Sequence, residues 1–242
     1  VKLQQKIKCK EARIWAYVGG NPNAPPYHIY DFTTSREHLH VLEFLKDFTG
    51  IIHADAYQVY GKLDSASDAV TWCACWAHGR RYFENSTHGD RIFREKILKL
   101  IGQLFDFERE AWQLSEVERH IIRQTQEKPL VDELFTLLKE KQKCVDLLPK
   151  SKLAKAVAYM LNHELNFRNY LDHANARMEN NTAERALRKT VIGRKNWLFI
   201  GSEEAGQSAM NLYSLLQTCR ALEIKPQEYL EEYIRKHPGA VE

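Results

Sequence analysis

No stretch of about 18 or more consecutive apolar residues occurs in the chain, so the sequence predicts no membrane-spanning helix. The first residues are polar and lysine-rich, which is not the pattern of a secretory leader. A Gly-rich phosphate loop is absent, and so is a serine nucleophile elbow. These absences argue against a P-loop nucleotide hydrolase and against an α/β-hydrolase. No internal repeat or low-complexity tract is present, which excludes solenoids and disordered linkers. Cysteine is sparse and odd in number, at five, a count that reads most simply as free thiols in a reducing cytoplasm. Neither sign of charge predominates. The net charge of +3 makes the chain only mildly basic, compatible with a polyanionic partner without demanding one.

What is present suits a soluble globular protein. The 242 residues, 44% hydrophobic and 28% charged, can bury one large core or two smaller ones. The chain opens on Val1 rather than Met, as expected of a fragment or a partial gene product. Along it, residues 12–19 and 27–32 are rich in β-branched and aromatic residues around a Pro/Asn turn, and predict a hairpin. Ser35 is placed to cap a helix carrying Leu39, Leu42, Leu45 and Phe48 on one face, with Gly50 as its stop. Residues 51–56 and 70–76 are short apolar runs that predict buried strands, with a short helix between them and another helix over 78–85. From Asp90 to about His173 the apolar period is helical throughout, with breaks expected near Pro129 and Pro149. Helices follow from Asn181 to the C-terminus, with breaks expected at Gly193, Gly201 and Pro226. The order of elements predicts an α/β fold with a large all-helical block.

Several residues carry candidate chemistry, each with a plainer structural explanation beside it. Asp55 ends an apolar strand, where it can be a turn residue or a metal ligand, since functional groups gather at the carboxyl ends of strands in open α/β sheets. Glu184 falls in the first or second turn of a helix opened by Asn180 or Asn181. The helix dipole alone justifies an acid there, and so would a bound metal. Phosphodiester chemistry would need these two remote carboxylates to meet around hard cations about 4 Å apart. Arg185, Arg188, Lys189, Arg194 and Lys195 fall within eleven residues and run directly into Asn196-Trp197. Such a stretch suits phosphate contact and base stacking, or forms a solvated helix face. His78, Arg80 and Arg81 follow the strand predicted over 70–76, either as phosphate contacts or as a capping histidine with solvent-facing arginines. Cys73-x-Cys75-x-x-His78 lacks the second Cys/His pair that a zinc site needs, and the two thiols suit a strand core.

The segments 14–18 (IWAYV), 53–57 (HADAY), 75–83 (CWAHGRRYF), 180–188 (NNTAERALR) and 193–202 (GRKNWLFIGS), with the tail 212–230, together resemble the Insertion Sequence 66 family of bacterial transposases. The likeness covers nearly the whole chain in order. It implies an RNase H-like mixed sheet with a large all-helical insertion and C-terminal helices. The expected division is a core over 1–86, an insertion over 87–178 and a catalytic-Glu and C-terminal region over 179–242. It implies an Asp–Asp–Glu triad in which Asp55 is the second Asp and Glu184 the Glu, both binding metal, with two Mg²⁺ ions in the intact parent. His78, Arg80, Arg81, Arg185, Arg188, Arg194, Lys195 and Trp197 become the DNA contacts. Transposon ends and target DNA are the implied partners, with a homo-oligomer as the active complex, no membrane involvement, and a place in the bacterial cytoplasm at the nucleoid.

Three features depart from the family pattern. Its first Asp lies a few residues before the position of Val1 and has no counterpart here, and Asp31 ends a different strand. The family's N-terminal zinc-binding and DNA-recognition region has no counterpart either. Glu179 stands where the family more often has Asp. Very low Mg²⁺ affinity and cleavage are therefore expected of these 242 residues by themselves. The alternatives are an inactive remnant with weak DNA binding and an RNase H-like nuclease that hydrolyses without joining strands.

Overall fold

A computed structural model describes residues 2–3, 10–20, 25–34, 38–55, 58–66, 69–197 and 199–237. In chain order the elements are β1 (Lys2–Leu3), β2 (Lys10–Glu11), β3 (Arg13–Gly19), β4 (Tyr27–Thr33), α1 (His38–Phe44), β5 (Gly50–Ala54), α2 (Gln58–Ala66), β6 (Val70–Ala74), α3 (Trp76–Glu84) and α4 (Arg91–Ala111). Then come α5 (Glu116–Ile122), a π-helical stretch Arg123–Glu127, α6 (Lys128–Lys143), α7 (Lys152–Asn162), α8 (Glu164–Arg168) and a 3₁₀ turn Asn169–Asp172. The chain closes with α9 (Asn181–Trp197), β7 (Phe199–Ile200), α10 (Glu203–Ala221) and α11 (Pro226–Lys236). The fold is mixed α/β, mostly helical, with small sheets. Among the described residues no helix is long and apolar enough to cross a membrane.

The chain divides into two compact units: Val1–Glu43 with Asn181–Glu242, and Phe44–Asn180. In the first, β3 and β4 form the expected antiparallel hairpin in unbroken register from Arg13↔Thr33 to Gly19↔Tyr27. The outer edge of β4 is closed by a helix rather than by another strand. Its His28 and Tyr30 backbone N–H groups donate to the hydroxyls of Thr218 and Ser214 on α10. Gly206 lets α10 approach this closely, because a Cβ there would lie 2.6 Å from the Phe32 ring. Strand β1 pairs antiparallel with β2 and parallel with β7.

In the second unit β5 and β6 are parallel and in register from Gly50↔Val70 to Ala54↔Ala74, with α2 as the crossover. Parallel neighbours need such a connection. The core centres on Trp76, fully buried, whose indole N–H donates to the Phe167 carbonyl at 3.0 Å and whose ring meets Phe135, Phe167 and Tyr170 edge-on. From Arg91 to Asp172 every element is helical.

Five expectations from sequence are corrected. Helix α1 stops at Phe44, and Gly50 opens β5 instead of ending a helix, because its N–H is claimed by Ala69 O in the parallel ladder. The buried position on α1 is Val41, while Leu39 points outward at 67% exposure. Strand β6 ends at Ala74, and Trp76 starts α3, its N–H leaving the ladder for Met178 O. No break occurs at Pro129. The π-helical stretch runs straight into α6, with proline in the first turn of that helix. The break lies earlier, before Ser115, whose side chain and Glu118 form a reciprocal capping box on α5. Gly193 does not interrupt α9, since one glycine costs a helix only about 1 kcal/mol. The capping role of Ser35, the turn at 21–24, and Ala56 and Tyr57 lie outside the described residues.

Candidate functional site

Asp55 follows β5 directly and is exposed. The ladder continues one step past Ala54, with Cys75 N–H donating to Ala54 O at 3.1 Å, so Asp55 and Cys75 stand side by side at the carboxyl edge of the parallel pair. Alternation of side chains along a strand assigns His53, Asp55, Cys73 and Cys75 to one side. The segment 177–180 crosses that side: Arg177 N–H donates to His53 Nε2 at 3.4 Å, and Asn180 N–H to Cys75 Sγ at 3.5 Å. Asn180 Oδ1 is buried there and accepts no hydrogen bond among the described residues.

The electrostatics of this edge follow from its burial. His53 is pushed down to about 4, first by desolvation and then by the guanidinium charges of Arg123 and Arg177, so a neutral imidazole stands two residues from Asp55. The Cys75 thiol is held above its ordinary value, mainly by burial. Cys73 and Cys75 are buried free thiols, and Cys75 Sγ is already an acceptor for Asn180. Within neither unit do three His, Cys, Asp or Glu side chains gather in a metal-binding group among the described residues.

Helix α3 leaves the same edge. His78 lies in its first turn, half-buried, with its N–H bonded to Cys75 O. Arg80 is engaged by Glu84 at 2.9 Å, one turn on, while Arg81 is exposed. The remaining candidates belong to the other unit. Glu184 occupies the first turn of α9 and is half-buried, and Arg185 and Arg188 are exposed. The helix is fixed beside them by Tyr30, whose hydroxyl donates to Ala186 O at 3.0 Å. Arg194, Lys195 and Trp197 fall on the last turns of α9, and their side chains lie outside the described residues.

Sequence reasoning missed the groups that hold the 170–177 segment. Arg123 donates to the carbonyls of Tyr170, His173 and Ala176, and Arg119 to that of Ala174. Gln124 adds a bond to Leu171 O. This irregular stretch has few carbonyl partners of its own, and buried backbone acceptors need donors. The only signal available was the spacing of Arg119, Arg123 and Glu127, which returns to one helix face every four residues.

The sequence profile of the Transposase IS66 family matches residues 1–208. The "Uncharacterized protein y4hP" of Sinorhizobium fredii (strain NBRC 101917 / NGR234) is 31% identical over 263 residues, covering 98% of this chain and 47% of that protein. The "Uncharacterized protein y4qI" of the same organism is 30% identical over 243 residues, covering 95% of this chain and 44% of that protein. The chain thus spans about half the length of the curated relatives it matches. No solved structure matches it.

Proposed function

The chain belongs to the IS66 family of transposases, and on that premise we propose that it supplies much of an RNase H-like catalytic core that cleaves and joins DNA strands, with Asp55 and Glu184 as metal-holding carboxylates. One observation carries the reading: Asp55 lies at the carboxyl edge of a parallel strand pair, on the side crossed by 177–180. Ligands at this edge of an α/β sheet are the general expectation.

The donor chemistry fits magnesium. Asp55 and Glu184 offer hard carboxylate oxygens, and Asn180 Oδ1 is a buried acceptor that no donor among the described residues satisfies. Few carboxylates suffice, because water and phosphate oxygens complete the octahedron. Two bound Mg²⁺ ions would supply positive charge at the scissile phosphate. The protein's own part is to hold those oxygens and to position the DNA. Arg81, Arg185 and Arg188 are exposed cations suited to backbone phosphates. Arg80 reaches a phosphate only by leaving Glu84, so it contributes less. His78, Arg194, Lys195 and Trp197 complete the DNA-contacting set in this reading. Transposon ends and target are the proposed substrates, and a homo-oligomer brings two ends together.

Asp55→Asn and Glu184→Gln in the intact protein test this. Strand joining should be abolished, with binding to transposon-end DNA nearly unchanged, because neither change removes a cation. Equal loss of joining and binding overturns the assignment, and hydrolysis without joined product would mark a nuclease.

A further inference from the structure

One surface of the Phe44–Asn180 unit combines an exposed tyrosine ring with exposed cations. On α3, His78, Arg81 and Tyr82 share an outward face, while the Arg80–Glu84 pair occupies the other flank. Tyr82 is 42% exposed and stacks on Tyr159 of α7, ring centroids 4.3 Å apart and planes 23° from parallel. Tyr159 meets the His163 ring edge-on at 5.6 Å. Along α7, Lys152, Lys155 and Tyr159 fall three and four residues apart and so form a single stripe, with both lysines exposed. Helix α7, KLAKAVAYMLN, contains no carboxylate at all. The stripe therefore spans ~10 Å of α7 before reaching the tyrosine pair. From Tyr82 it is one further turn along α3 to His78, beside the edge that carries Asp55.

We propose that Lys152, Lys155, Tyr82, Tyr159 and Arg81 form a track for single-stranded DNA, leading an unpaired strand across the helical block toward the Asp55 edge. Cations alone would suit any polyanion. The exposed face of an aromatic pair adds what only an unpaired base can use, since bases inside a duplex are already stacked. The track deepens the proposed function by naming the strand state that the protein holds. It rests on the DNA reading of the chain and not on metal binding by Asp55 and Glu184.

The test is fluorescence anisotropy of the 242-residue chain with labelled oligothymidylate of about 15 nucleotides and with a duplex of equal length, in EDTA so that no metal contributes. The single strand should bind more tightly. Tyr82→Ala should weaken single-strand binding by about tenfold or more while leaving duplex binding unchanged, and Tyr82→Phe should retain it. Lys152→Gln with Lys155→Gln should flatten the salt dependence of single-strand binding by about 1.4 in logarithmic slope. Because EDTA removes any metal, the single-strand preference is read independently of the metal assignment. Duplex binding equal to or tighter than single-strand binding overturns the track, as does a Tyr82→Ala chain that is folded by circular dichroism and binds like its parent.

Discussion

Arg123 donates through Nε and Nη2 to the two carboxylate oxygens of Glu108, at 2.6 and 2.8 Å, with the side chains 0% and 5% exposed. The same guanidinium reaches three backbone carbonyls of the segment that runs on to the Asp55 edge. A buried bidentate pair often gains nothing over an apolar pair of equal volume, but removing one partner strands a charge and several acceptors.

Arg123→Met should therefore destabilise the chain by about 3–5 kcal/mol, measured as a lowered urea midpoint. Adding Glu108→Met should recover part of that loss, because no uncompensated carboxylate then remains. A double variant as unstable as the sum of the two single variants would show that the pair is not coupled.

Glu127 gives stability an alkaline limit. Burial, reinforced by the Glu108 charge, pushes it from its ordinary 4.5 up to about 8, while the Tyr170 hydroxyl donates to its Oε2 at 2.7 Å. The native state keeps this proton where the unfolded chain releases it. The associated stability is complete below about 4.5 and is lost as pH rises to about 8. Glu127→Gln removes the titration, so its stability relative to the parent should improve steadily across that interval. Urea midpoints that run parallel with pH would contradict this.

His53 works in the opposite direction. Its value falls from the ordinary 6.5 to about 4, so the native state excludes a proton that the unfolded chain takes up. The associated stability is complete above about 6.5 and lost as pH falls to about 4. By NMR the His53 ring should be neutral at about pH 5 in the folded chain. A charged imidazole there would mean that the edge beside Asp55 is wetter than its packing indicates.

Gly206→Ala should cost about 1–3 kcal/mol, since the added methyl meets the buried Phe32 ring. Phe32→Leu in the same chain should return part of the loss. A neutral Gly206→Ala would show that α10 lies further from the hairpin than the contact at Phe32 requires.

The hairpin and the βαβ stretch were legible because their apolar runs are short, β-branched and bounded by turn residues. Asp55 could be placed at a strand end for that reason. The buried face of helix α5 was not legible. Its apolar residues Val117 and Ile121 face solvent at 70% and 53% exposure, while Arg119, Arg123 and Glu127 are buried. Binary patterning assumes that charge goes outward, and here the irregular 170–177 segment reverses it by presenting carbonyls that only buried donors can satisfy. Arg80 illustrates the same limit at the candidate site: its sequence neighbours suggest a free cation, and only the fold shows Glu84 holding it. The two-residue strand β7 carried no periodic signal of its own and exists through pairing with β1.

The claim that Asp55 and Glu184 hold metal together is tested most directly by replacing magnesium with Fe²⁺ in the intact protein and adding ascorbate and peroxide, so that hydroxyl radicals cut the backbone beside the bound ion. Cuts are predicted next to Asp55 and next to Glu184 in the same preparation, with both sets lost on either Asp55→Asn or Glu184→Gln. Cuts at one position that survive the change at the other would contradict a shared site.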